Sequence, residues 1–61
     1  MKNVLVTASF YNPYEITLSE RGSAVFLSTA VKRAIDKIQK QPRSWKDKRS
    51  VKRIVFAVDV L

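Results

Sequence analysis

Val4, Val6, Ala8 and Phe10 alternate with Leu5, Thr7 and Ser9, and a period of two among strand-forming residues predicts a β-strand over residues 4–10. Tyr11-Asn12-Pro13-Tyr14 then supplies turn chemistry, because proline fixes its own φ and biases Asn12 away from helix. Alternation resumes at Tyr14, Ile16 and Leu18, so a second strand over 14–18 completes a β-hairpin. Ser19-Glu20-Arg21-Gly22 holds the only glycine and reads as a loop, with Ser23 as the N-cap of a helix starting at Ala24.

From there the period changes to 3.6. Ala24, Leu27, Val31, Ala34, Ile35 and Ile38 fall on one stripe, widened by Phe26 and Ala30, while Thr29, Lys32, Arg33, Asp36 and Lys40 take the opposite side. The pattern predicts an amphipathic helix over 24–40, about 25 Å long, stopped by Pro42. Residues 43–50 are charged and lack an apolar period, so they read as a loop, although Ser44 and Asp47 have the spacing of a weak capping box. Residues 51–60 are rich in strand formers, with Ile54, Phe56, Val58 and Val60 on one face and Arg53, Val55, Ala57 and Asp59 on the other.

This order describes a single α+β domain over residues 1–61, β-β-α-β. One amphipathic helix packs on one face of a three-stranded antiparallel or mixed sheet in the order 2-1-3, with the first strand central. Val4, Val6, Ala8, Phe10, Ile16, Leu18, Ile54, Phe56 and Val58 are expected to meet the helix stripe. Leu5, Val55 and Ala57 are left on the uncovered face. Uncovered apolar surface of this kind marks interaction sites, and a homodimer through that face or along the edge of the last strand is a reasonable expectation.

Composition narrows the chemistry. A chain of 61 residues buries only about 60% of its unfolded surface, so the core is thin. With neither Cys nor His there is no disulfide framework, and the usual zinc, iron–sulfur and haem ligand sets are missing, so no metal and no cofactor is expected. The same absences remove the commonest general bases and activated nucleophiles and favour a non-catalytic protein. Tyr14, Glu15, Arg21 and Arg43 could supply groups for a histidine-free ribonuclease of the kind some small toxins use, but no spacing brings them together. Met1-Lys2-Asn3 leads into too short an apolar run for a secretory signal, and no stretch is long enough to span a membrane, which reads as a soluble, cytoplasmic protein.

Charge changes the picture most. The net charge is +7, from 12 Lys and Arg against 5 Asp and Glu. Residues 40–53 hold Lys40, Arg43, Lys46, Lys48, Arg49, Lys52 and Arg53 against the single acid Asp47, so the chain elsewhere is nearly neutral. Closely spaced cations attract phosphates and release counterions, and an indole beside them, Trp45, can stack on an unpaired base. The residues also fit a solvated loop in which Trp45 folds back to cap the thin core. Lys32, Arg33 and Lys37 extend the positive surface along the outer side of the helix, although that face lacks the Asn, Gln or Arg cluster of base-specific readout. Arg21-Gly22-Ser23 ahead of a helix N-terminus is a weak anion-site pattern without P-loop spacing. Tyr11 and Tyr14 are expected to pack the hairpin end, with a place as rim contacts for bases.

The resulting expectation is a non-catalytic protein that binds DNA or RNA through a basic, Trp-containing loop. The alternative is an inhibitor or regulator that docks an acidic surface or nucleic-acid site of a host protein complex, as small basic accessory factors of phages and mobile elements do; that comparison rests on size and composition.

Overall fold

The structure, a computed structural model, describes residues 1–11, 14–45, 51 and 53–61. Its elements are β1 (Lys2–Tyr11), β2 (Glu15–Ala24), α1 (Leu27–Gln39) and β3 (Val55–Val60). The sheet has the order β2-β1-β3, and both outer strands run antiparallel to the central β1, as the α+β reading expected. Val4, Val6, Ala8 and Phe10 of β1 form the floor of the core with Ile16, Leu18 and Ala24 of β2, and Ala30, Ala34 and Ile38 of α1 close it. Among the described residues no helix is long and apolar enough to cross a membrane.

The largest departure from the sequence reading is β2. It continues through the expected loop, Ser19-Glu20-Arg21-Gly22, to Ala24, pairing with β1 down to Lys2↔Ala24. The helix therefore starts at Leu27 rather than Ala24, with Phe26 as its N-cap. Ser23 is not a cap but a strand residue, whose hydroxyl donates to Oδ1 of Asn3 across the ladder at 2.5 Å. The alternation was hidden because the inner-face positions after Leu18 are Glu20, Gly22 and Ala24 rather than large apolar residues. Each has a packing reason. Glu20 is half-buried and accepts a hydrogen bond from Nε2 of Gln41 at 2.9 Å just beyond the helix end. Gly22 lies directly beneath α1: a Cβ there would collide with the carbonyl oxygen of Ala30 and stand 2.9 Å from the amide nitrogen of Ala34. A strand glycine of this kind marks close backbone approach, not a turn.

The flanks of α1 are unlike each other. Toward the free edge of β2, the guanidinium of Arg33 donates to the carbonyl of Ser23 at 2.8 Å and the ammonium of Lys37 to that of Arg21 at 2.9 Å. Two carbonyls of an edge strand are thereby covered by cations of the helix. At 100° per residue the opposite flank, toward β3, carries Leu27, Val31 and Ile35. At the C-terminal end the Gln41 amide bonds the Ile38 carbonyl at 3.0 Å. Buried Ser44 folds back, its hydroxyl donating to the Gln39 carbonyl at 2.9 Å and its amide to that of Gln41 at 3.0 Å. Ser44 thus closes α1; Asp47, its partner in the capping-box spacing, lies outside the described residues.

The last strand is shorter than the expected 51–60 and is exposed at every position. Its register puts Phe56, Val58 and Val60 beside Ala8, Val6 and Val4, on the face that the alternation assigned to the helix. The helix does not reach them. One helix about 10 Å wide covers about two strands spaced roughly 4.8 Å apart, and α1 is drawn onto β2 and β1 by the Gly22 contact. Phe56 and Val58 stay 42% and 44% exposed, and Val60 62%. Val51 and Ile54, expected within the strand, precede it and pack half-buried against the core.

Gly22→Ala should therefore act against the usual sign of such changes. Where there is room, the replacement stabilises a fold by about 0.4–1 kcal/mol through the unfolded chain. Here the added methyl meets helix backbone, and chemical denaturation should show a loss of about 3 kcal/mol, a large part of the roughly 3–9 kcal/mol available to a domain of this length.

Candidate nucleic-acid interface

Trp45 follows the turn that Ser44 makes at the end of α1. Its ring meets Phe10 at a centroid separation of 5.8 Å and an interplanar angle of 83°, and Phe56 at 5.5 Å and 81°. Both are edge-to-face contacts of the kind aromatic quadrupoles favour. The half-buried indole thus links the end of β1 to the start of β3 and lies against the core with Val51 and Ile54. Of the two situations considered for Trp45, capping of the core is the one these contacts describe; its packing alone accounts for its burial.

Lys46, Lys48, Arg49 and Lys52 lie outside the described residues, as does Asp47; the described residues that flank residues 46–50, Trp45 and Val51, both pack on the core. Trp45 itself lies at the end of the domain where α1 stops. Lys40 and Arg43 are exposed at that same end, and Arg53 is exposed just before β3.

Lys32, Arg33 and Lys37 are exposed on α1, with Asp36 the one acid on the helix. Arg33, Lys37 and Lys40 line a shallow depression together with Ser23 and Asp36. The contacts of Arg33 and Lys37 with β2 fix where these charges sit without neutralising them, so the positive surface runs from the β2 side of α1 to the helix end.

Other sequence candidates do not assemble. Arg21, Gly22 and Ser23 belong to β2, so they form no anion site before a helix. Glu15 and Arg21 lie six residues apart on one strand, about 20 Å, and with them the set containing Tyr14 and Arg43 does not converge. Tyr11 and Tyr14 do not pack the hairpin end: they are 69% and 79% exposed. The sheet face away from α1 carries several hydroxyls, with Thr7 and Ser19 sharing a hydrogen bond of 3.1 Å across strands, and its aliphatic residues are Leu5, Val55, Ala57 and, just past β3, Leu61. Among the described residues no three His, Cys, Asp or Glu side chains cluster as metal ligands. No family model, curated protein or solved structure matches the chain.

As the only tryptophan, Trp45 reports its own packing. Its emission should shift to the red on unfolding. Trp45→Ala should cost about 2 kcal/mol, below the 3–5 kcal/mol of a fully buried aromatic, and Trp45→Phe well under half as much, both read from denaturation monitored by circular dichroism.

Proposed function

We propose that this domain binds nucleic acid without catalysis, by contacting backbone phosphates through Lys32, Arg33, Lys37, Lys40 and Arg43 together with Lys46, Lys48, Arg49, Lys52 and Arg53. The observation that carries this reading is the continuity of charge. The exposed cations Arg33, Lys37 and Lys40 run along one side of α1 to the helix end, Arg43 lies exposed just beyond it, and the rest of the basic segment follows directly in sequence. Such a surface gains affinity from released counterions and carries no base code, so it recognises a strand by charge rather than by sequence. In this reading Trp45 positions the cations by pinning their segment to Phe10 and Phe56. Stacking of a base on its exposed rim would add to the affinity, but the phosphate contacts do not need it.

Titration of labelled single- and double-stranded oligonucleotides by fluorescence anisotropy tests the reading. Affinity should fall steeply and linearly with log salt and vary little with sequence. Replacing Lys46, Lys48 and Arg49 together by alanine should weaken binding to every oligonucleotide and reduce the salt slope for single strands by about 2, at roughly 0.7 per lost phosphate contact. No detectable binding at low salt would refute the proposal and favour an acidic protein partner.

A further inference from the structure

The two edges of the sheet differ in a way that nucleic-acid binding does not explain. At the β2 edge, Arg33 and Lys37 occupy the outward carbonyls of Ser23 and Arg21. At the β3 edge nothing comparable is present among the described residues. The Leu61 amide donates to the Asn3 carbonyl at 2.8 Å, so the odd-numbered residues of this strand bond to β1. The even-numbered Phe56, Val58 and Val60 therefore turn their N–H and C=O groups outward, and no described residue bonds them. The devices that keep edge strands from pairing are Lys, Pro, bulges or a covering helix. Among the described residues β3 has none of these, and its one charged side chain is Asp59. It is Val55-Phe56-Ala57-Val58-Asp59-Val60, without a cation or a proline, exposed along its whole length.

We infer that β3 pairs antiparallel with β3 of a second copy of this chain, joining two sheets into one of six strands in the order β2-β1-β3-β3-β1-β2. The strand is self-complementary about Val58. With Val58 opposite Val58 on the two-fold axis, Phe56 faces Val60 of the other copy on the helix side, an aromatic–β-branched pair, and the outward hydrogen-bonding groups of both strands meet. On the other face Val55 lies opposite Leu61, and Ala57 opposite Asp59. A shift that centres the pair on Asp59 would set two carboxylates against each other and is disfavoured.

Charge selects the same edge. No Lys or Arg occurs from Ile54 to Leu61, so two chains of net charge +7 meet at their least positive border. The cations of α1 lie on the opposite, β2 side. In the dimer they stand on the order of 20 Å or more from their counterparts, given strands spaced roughly 4.8 Å apart, well beyond the Debye length of about 8 Å. The pairing thus keeps the α1 cations of the two chains apart.

Sedimentation equilibrium of the full chain, free of nucleic acid, should show a monomer–dimer equilibrium between micromolar and millimolar concentration that high salt does not dissolve. Val58→Lys should weaken the dimer by at least about tenfold while circular dichroism and Trp45 emission stay those of the folded chain. Because the protein has no cysteine, Val58→Cys offers an independent test of register. Directly opposed residues of a bonded pair have Cα atoms about 5.5 Å apart, within the range a disulfide spans. Mild oxidation should therefore link this variant into dimers far faster than Ser19→Cys, on the other edge. A chain that stays monomeric at millimolar concentration, a dimer that Val58→Lys leaves intact or that salt dissolves, or equal cross-linking of the two cysteine variants would overturn the assignment.

Discussion

The contact between α1 and β2 at Gly22 decides where everything else in this small domain can sit. Because a hydrogen atom replaces a side chain at that position, the helix backbone at Ala30 and Ala34 settles almost onto the strand, and the small Ala24, Ala30 and Ala34 continue the seam. Such proximity concentrates dispersion and apolar burial in a core of few residues. It also commits the helix to one side of a three-stranded sheet, leaving β3 without cover.

That displacement sorts the surface by chemistry. On the β2 side, cations of α1 cover a strand edge and face solvent; on the β3 side, apolar residues surround an edge whose outward hydrogen-bonding groups no described residue bonds. Trp45 bridges the less protected part, since its contacts with Phe10 and Phe56 add to the ladder with β1 in holding the last strand. One aromatic residue therefore supports the attachment of β3 at the point where the basic segment continues in sequence.

Local periodicity made much of this arrangement readable in the sequence. The alternation at Val4, Val6, Ala8 and Phe10 defined a central strand, the stripe through Ala34 and Ile38 defined the helix, and strand order followed from connection rules. The end of β2 was not readable, because Glu20 and Gly22 occupy inner-face positions for reasons lying in α1 and in Gln41, elements distant along the chain. Ala24 fitted the helical stripe as well as the strand, and only the length of β1 decided between them. Likewise the alternation of Phe56, Val58 and Val60 identified a face but not its cover, which depends on how far one helix extends across the sheet. The basic character of residues 40–53 was plain from composition. The pinning of Trp45 required knowledge that Phe10 and Phe56 lie together, which follows from the β1–β3 register and from no local pattern.

The sheet order also separates local pairing from distant pairing. The β1–β2 ladder closes over a short turn and α1 follows two residues after it, so this part forms from neighbouring chain, whereas β3 joins β1 only by closing a loop of some fifty residues. Until it does, the central strand is itself an edge, with Asn3, Leu5, Thr7 and Ser9 presenting unpaired backbone. The topology thus makes β3 the strand whose pairing depends on the most distant contacts along the chain.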